Sequence, residues 1–134
     1  MSPQRTILII DDDDDFQASM RAFLESQGYR VAQARSGREG LQKLKECDPD
    51  AILLDIMMES MSEGYGIAFA VKHQPEYQAY DDVPIIMLSS IQESPDQRFP
   101  RAEELDLIRP DMYFTKPVNL DLLLETLTRT LQHA

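Results

Sequence analysis

The sequence predicts an α/β fold in which a parallel β-sheet carries helices on both faces. Short apolar segments of strand length alternate five times with helical segments, which is typical of consecutive β–α units. The first strand, Arg5–Ile10, is rich in β-branched residues and almost continuously apolar, as a strand buried on both faces should be. It stops at the acidic run Asp11–Asp15, so carboxylates stand where the strand ends.

Residues 14 to 34 predict a helix and a second strand. From Asp14 to Gln27 the apolar residues recur with a helical period, and Gly28 supplies the left-handed conformation that ends many helices. The strand follows at Tyr29–Ala34. The helical stripe that should face the core consists of Phe16, Met20, Phe23 and Leu24.

Residues 36 to 55 predict a second helix and a third strand. Ser36 and Glu39 form a capping box that opens the helix, and Asp48-Pro49 ends it. The strand Asp50–Asp55 is apolar and, like the first, ends on a carboxylate. The inward residues of the helix are expected to be Leu41, Leu44 and Cys47.

The middle of the chain is less regular. A loop over 57–66 precedes a helix near 67–73, and a polar stretch over 74–82 leads to the fourth strand, Val83–Leu88. Residues 91–110 contain three prolines and no clean period, although a short helix over 101–107 is one option.

The fifth strand and the last helix are clearly marked. The strand is Met112–Thr115. Asn119 is the expected N-cap of the helix, and Val118 and Leu123 can form a hydrophobic staple across it. The core stripe of this helix is predicted to be Leu120, Leu123, Leu124, Leu127 and Leu131.

Composition narrows the classes of function. The net charge of −11 and the pI near 4.5 argue against direct binding to nucleic acid or to an anionic membrane. Cys47 is alone, so no internal disulfide can form, and no apolar run is long enough for a transmembrane helix or a signal peptide. We therefore expect a cytoplasmic protein whose residues 1–134 form one domain, with no output domain in this chain.

Polar residues stand at the carboxyl ends of four predicted strands. They are Asp11 and Asp12 after the first, Asp55 after the third, Ser89 after the fourth and Lys116 after the fifth. Each has a simpler explanation alone, such as a helix N-terminus, a turn or a surface lysine. Parallel strands would bring all of them to one edge of the sheet, where ligands bind in such folds. Together they can hold a hard divalent cation and offer a carboxylate nucleophile toward phosphorus.

Four motifs resemble the receiver domain of two-component response regulators over essentially the whole chain. They are Ile-Leu-Ile-Ile-Asp-Asp-Asp at 7–13, Pro-Asp-Ala-Ile-Leu-Leu-Asp-Ile-Met-Met at 49–58, Pro-Ile-Ile-Met-Leu-Ser-Ser at 84–90 and Tyr-Phe-Thr-Lys-Pro-Val at 113–118. The resemblance implies a flavodoxin-like, doubly wound, five-stranded (βα)5 sheet in the order 2-1-3-4-5.

The resemblance also implies roles for individual residues. Asp55 is the phosphoacceptor, and Mg²⁺ (or Mn²⁺) is held by Asp11, Asp12, Asp55 and the backbone carbonyl of Met57. Lys116 contacts the phosphoryl group and precedes a cis bond to Pro117. Ser89 and Tyr113 are switch residues. Met57 and Ile91, both apolar, flank the expected path of attacking water and are predicted to slow dephosphorylation.

Two segments depart from the usual receiver pattern. Glu59 stands where the family commonly has proline, in a loop that is about one residue longer. The segment between Ser89 and Lys116 is several residues longer than usual, carries Arg98-Phe99-Pro100-Arg101 and lacks an obvious fourth helix, so an extended loop could replace that helix.

The expected function is a signalling phosphoacceptor rather than an enzyme, with self-catalysed phosphotransfer and dephosphorylation. Its phosphoryl group would come from a phosphohistidine on a sensor histidine kinase or a histidine phosphotransfer protein, and it would then bind a downstream protein target, with a homodimer also open. One alternative is a receiver-like binding module that acts without phosphorylation. Asp11-x-Asp13 also resembles the nucleophile motif of haloacid-dehalogenase-type phosphatases. A flavin-binding module is disfavoured, because the loop after the first strand would have to bind the flavin phosphate and its five aspartates would repel it.

Overall fold

The computed structural model describes residues 4–55, 66, 70–71, 74–80, 82–89, 112–116 and 118–132. Five parallel strands form one sheet in the order β2-β1-β3-β4-β5, which confirms the predicted fold. The strands are Thr6–Ile10 (β1), Arg30–Ala34 (β2), Ala51–Asp55 (β3), Ile85–Ser89 (β4) and Met112–Thr115 (β5). Each lies within two residues of its predicted bounds.

The register of the sheet aligns the carboxyl ends of its strands. Ile10 pairs with Ala34 of β2 and with Leu54 of β3. The residue that follows Ile10 is Asp11, and the residue that follows Leu54 is Asp55. The two carboxylates therefore leave adjacent strands at the same edge of the sheet. Asp55 pairs with Leu88 of β4, and Ser89 of β4 pairs with Thr115 of β5, so the carboxyl end of β5 lies at this edge as well.

Three α-helices have defined bounds in the described part of the chain, and Gly66, Ala70 and Val71 are also helical. The three bounded helices are Asp14–Ser26 (α1), Gly37–Cys47 (α2) and Leu120–Gln132 (α3). The N–H of Glu39 donates to Ser36 Oγ at 3.2 Å, and the N–H of Leu122 donates to Asn119 Oδ1 at 3.0 Å. Gly28, just beyond α1, has φ +92°, as predicted for a residue that ends a helix.

The core consists of two apolar clusters, and alternate residues of β1 belong to one cluster or the other. Leu8 and Ile10 belong to one cluster, which includes Leu44 of α2. Ile7 and Ile9 belong to the other, which includes residues of α1 and α3. Because successive side chains of a strand point to opposite faces, these clusters cover the two faces of the sheet. Strand β1 is thus buried on both sides, as its composition predicted.

Three local predictions differ from the structure. The polar stretch over 74–82 contains a 3₁₀ helix, Pro75–Tyr80, since proline is well suited to the first turn. Leu120 was predicted in the core but is 40% exposed at the first position of α3. Phe16 and Phe23 are half-buried, and Gln17 takes an inward position instead.

None of the helices in the described part of the chain has the length and apolarity needed to cross a membrane.

Candidate functional site

Asp11 is completely buried at the end of β1, and both of its carboxylate oxygens have partners. Oδ1 accepts a hydrogen bond from the N–H of Asp13 at 2.9 Å. Oδ2 accepts one from Lys116 Nζ at 2.6 Å. A buried carboxylate needs such bonds, because an unpaired buried charge is strongly unfavourable. Asp11 is therefore held by one local contact, with Asp13, and by one contact with a residue 105 positions away, Lys116.

Asp12 and Asp55 complete an acidic group with Asp11. One carboxylate oxygen from each of the three lies within 4.8 Å of the others. Asp55 is 4% exposed at the end of β3, whereas Asp12 is exposed. The sequence predicted that these residues would meet at the sheet edge, and the structure brings them together. Their mutual repulsion calls for a nearby cation.

Lys116, directly after β5, supplies a positive charge to this group. Its Nζ atom lies 2.6 Å from Asp11 Oδ2 and 3.7 Å from Asp55 Oδ2. The ammonium also lies 4.1 Å from the centre of the Phe16 ring, a distance suited to a cation–π interaction. The lysine side chain is 17% exposed, so its charge acts in a poorly hydrated environment. The sequence did not predict the contact with Phe16.

The rest of the acidic run belongs to the start of α1. Asp13 is the N-cap, and its carboxylate accepts hydrogen bonds from the N–H groups of Asp15 and Phe16 at 3.0 and 3.2 Å. Asp14 forms an exposed ion pair with Arg35. Negative charge in the first turn of a helix is favourable because of the helix dipole. Of the five aspartates, two thus belong to the acidic group and three to the start of α1.

Gln17 is a residue of the site region that the sequence analysis missed. It is 4% exposed, and its amide nitrogen donates to the carbonyl groups of Ile9, Asp11 and Ala34. Its spacing from Met20 and Leu24, at i+3 and i+7, was the available signal, because these three residues form the buried stripe of α1.

Several predicted site residues fall outside what the structure describes. Met57, Ile91 and Pro117 lie outside the described residues, as does the longer segment over 90–111. Ser89 ends β4, where it pairs with Thr115 of β5. Tyr113 lies in β5 and pairs with Met87. Ser89 thus lies at the carboxyl end of β4 and Tyr113 within β5, and the roles of both residues remain predictions.

The donors at this edge suit a hard divalent cation. Carboxylate oxygens are preferred ligands of Mg²⁺, which binds them at about 2.1 Å and so spans oxygens roughly 4.2 Å apart. One oxygen from each of the three carboxylates lies within 4.8 Å of the others, so the three residues can offer these oxygens to one ion. Mg²⁺ commonly retains several waters, and the exposure of Asp12 leaves a side of the group open to solvent.

Comparisons with known proteins agree with this geometry. Residues 7–128 match the family model of the response regulator receiver domain. The transcriptional regulatory protein AfsQ1 of Streptomyces coelicolor is 31% identical over 118 residues, covering 84% of this chain and 45% of the relative. The regulatory protein VanRB of Enterococcus faecalis is 30% identical over 128 residues, covering 96% of this chain and 53% of the relative. The chain thus spans about half the length of these curated relatives.

A solved structure gives the same result for the fold. The chemotaxis protein CheY4 of Vibrio cholerae aligns with a TM-score of 0.78 at 29% identity, covering 96% of this chain and 99% of that one. The shared sheet order, the acidic group beside a lysine and the match over residues 7–128 lead to one conclusion. The chain belongs to the response regulator receiver domains of two-component systems.

Proposed function

We propose that Asp55 accepts a phosphoryl group from a phosphohistidine and that this aspartyl-phosphate switches binding to a partner protein. The observation that carries the proposal is the position of Asp55. Its carboxylate ends a central strand, belongs to an acidic group suited to a cation and lies 3.7 Å from the Lys116 ammonium. Asp11 is less accessible to a phosphoryl donor, because its side chain is 0% exposed whereas that of Asp55 is 6% exposed.

In the transfer step a carboxylate oxygen of Asp55 forms a bond to phosphorus, while the bond from phosphorus to the imidazole nitrogen of the donor breaks. The electron pair of the broken bond stays on the imidazole, which leaves as neutral histidine after protonation. Negative charge on the phosphoryl oxygens is favourably placed near Lys116, which can approach them from its position between Asp11 and Asp55. Water later attacks the phosphorus of the aspartyl-phosphate, the bond between phosphorus and the Asp55 oxygen breaks, and inorganic phosphate leaves, which restores the carboxylate.

Asp11, Asp12 and Asp55 are the residues proposed to hold Mg²⁺ or Mn²⁺, with the backbone carbonyl of Met57 as a further ligand. The bound cation would neutralise charge on the incoming phosphoryl group and offset the repulsion between the donor and the acidic pocket. Lys116 alone carries one positive charge against three carboxylates in the described part of the site. This imbalance supports a cation requirement.

Ser89 and Tyr113 are proposed to couple the phosphorylated site to the partner surface, and Met57 and Ile91 to slow hydrolysis by limiting access of water. The donor is proposed to be a sensor histidine kinase or a histidine phosphotransfer protein. The part of AfsQ1 and of VanRB that this chain matches is about half of each protein, so the proposal concerns the receiver domain alone.

Labelling with acetyl phosphate tests the phosphoacceptor. The parent chain in Mg²⁺ should gain one phosphoryl group per molecule by intact mass, and it should gain none when EDTA replaces Mg²⁺ during labelling. Asp55→Asn should take up none. The matched control is Asp82→Asn, which removes one exposed carboxylate outside the acidic group. Full labelling of Asp55→Asn would refute the assignment.

Measurements of phosphotransfer and of partner binding distinguish a phosphorylation switch from a module that binds its partner without phosphorylation. A histidine kinase core that phosphorylates the parent chain should leave Asp55→Asn unlabelled. If Asp55→Asn bound a target as tightly as the phosphorylated parent did, the binding-only alternative would be favoured. Turnover of a phosphate ester by the parent chain would favour the phosphatase alternative instead.

A further inference from the structure

Gln17 is a buried polar residue whose amide joins the ends of two strands. Its Nε2 atom lies 2.9 Å from the carbonyl oxygen of Ala34, 3.0 Å from that of Asp11 and 3.2 Å from that of Ile9. These carbonyls stand at the carboxyl ends of β1 and β2. With only 4% of the residue exposed, water has little access to the amide, so these bonds replace its hydration.

The surroundings fix the orientation of the Gln17 amide. Its nitrogen faces three oxygen acceptors, and its Oε1 accepts a hydrogen bond from Gln33 Nε2 at 3.1 Å. A flipped amide would place oxygen against three oxygens, which is unfavourable. The amide carries two hydrogens for three acceptors, so at least one hydrogen is shared. The side chain therefore has one well-determined position.

The contact with Asp11 links this amide to the acidic group. The Asp11 carbonyl is held by Gln17, its N–H donates to the Ala34 carbonyl at 3.0 Å, and its carboxylate is bonded to Asp13 and Lys116. The Asp11 carbonyl is part of the planar peptide that leads into Asp12. Fixing that carbonyl fixes the plane, and so limits the directions in which Asp12 can leave the strand.

We propose that Gln17 is a positioning residue for the divalent-cation site, acting through the peptide between Asp11 and Asp12. The inference rests on the proposed function, because it requires a cation at the three carboxylates. None of these hydrogen bonds of Gln17 involves a carboxylate oxygen of the acidic group. Gln17 therefore acts on the geometry of the proposed ligands and contributes no ligand atom itself. Pre-organised ligands bind a cation more tightly because less ordering is needed on binding.

Two substitutions separate this role from simple support of the fold. Gln17→Met keeps the length of the side chain but removes all three donations to the strand ends. Gln33→Met is the matched control, since it removes the bond to Gln17 Oε1 and an exposed contact with Arg21 but keeps those donations. Both variants are measured at a temperature at which circular dichroism shows them fully folded.

The expected result is a change in cation affinity with little change in the chemical step. Titration calorimetry with MgCl₂ should give a dissociation constant about three- to tenfold higher for Gln17→Met than for the parent, the effect of losing one to two ordinary hydrogen bonds. At saturating Mg²⁺ the acetyl phosphate labelling rate of this variant should return to within about twofold of the parent rate. Gln33→Met should match the parent in both measurements.

Two results would overturn the inference while leaving the proposed function in place: an unchanged Mg²⁺ dissociation constant in folded Gln17→Met, or an equal rise in Gln33→Met. A parent chain that binds no Mg²⁺ would remove both proposals. If Gln17→Met does not fold, the parent itself provides the test by NMR. The side-chain amide protons of Gln17 should exchange slowly and shift on Mg²⁺ addition, whereas those of exposed Gln27 should not. Absence of a Mg²⁺-dependent Gln17 shift would refute the role.

Discussion

Replacing Asp12 by asparagine should stabilise the chain without Mg²⁺ and destabilise it, relative to the parent, when Mg²⁺ is saturating. Asp12 is the exposed member of three carboxylates whose oxygens lie within 4.8 Å of one another. The substitution keeps the shape of the side chain and removes one negative charge. It therefore removes two unfavourable charge pairs in the absence of a cation and one ligand in its presence.

The magnitude follows from the separation. Two like unit charges 4.8 Å apart repel by about 0.9 kcal/mol at the dielectric constant of water and by about 3.5 kcal/mol at an effective value near 20. Asp12 is exposed, so the smaller value applies, and Lys116 already offsets part of the charge of Asp11 and Asp55. A net gain of about 1 kcal/mol in the free energy of unfolding, or about 3 °C in Tm, is expected for a domain of this size.

Thermal and urea unfolding in EDTA and in saturating MgCl₂ provide the assay. At a Mg²⁺ concentration about 100 times its dissociation constant, the parent should gain about 2.7 kcal/mol, and Asp12→Asn should gain clearly less. The order of stability should thus invert between the two buffers. Asp82→Asn, which changes the same charge outside the acidic group, should show no inversion. A loss of stability for Asp12→Asn in EDTA would refute the reasoning from repulsion.

Three further predictions concern the surroundings of the site. Lys116→Met should lower the free energy of unfolding in EDTA by about 3 kcal/mol, because fully buried Asp11 loses its charged partner. Mg²⁺ should restore part of the lost stability. If urea unfolding showed the variant to be as stable as the parent, the role of the ion pair would be contradicted. Gly40→Ala should cost about 1–3 kcal/mol, because its Cβ would lie 2.5 Å from Ile10 Cδ1, and a variant as stable as the parent would show that Ile10 can move freely. Burial raises the pKa of the Cys47 thiol, so iodoacetamide should modify it slowly at neutral pH and faster only when the pH exceeds the ordinary thiol pKa. Rapid modification at pH 7 would contradict this prediction.

The features that follow from local chemistry were predictable from the sequence. The apolar composition of β1 and β3 predicted strands that are buried on both faces. The caps Ser36 and Asn119 are found in the structure, because a capping side chain bonds to the backbone a few residues ahead and needs no tertiary context. The parallel arrangement then predicted that Asp11, Asp55 and Lys116 would share one edge of the sheet.

The features that depend on packing between elements were not predictable in the same way. Gln17 is polar and was not assigned to the core, although three backbone carbonyls from two strands surround its amide. Leu120 has the spacing of a core residue, but it is the first residue of α3 and remains exposed. The closer approach of Lys116 to Asp11 than to Asp55 depends on the path of one long side chain, which no periodic pattern encodes.

The bond between Lys116 and Asp11 joins residues that are 105 positions apart, which has a consequence for the order of folding during synthesis. The ribosome completes β1, β2, β3 and β4 before Lys116 is made, so the nascent chain holds its three clustered carboxylates without this ammonium. Non-local contacts of this kind form late, because a long loop must close before they contribute. The ion pair that offsets the charge of the pocket therefore forms only after β5 and Lys116 have been synthesised, and truncation before β5 yields a chain with the acids but not this counter-charge.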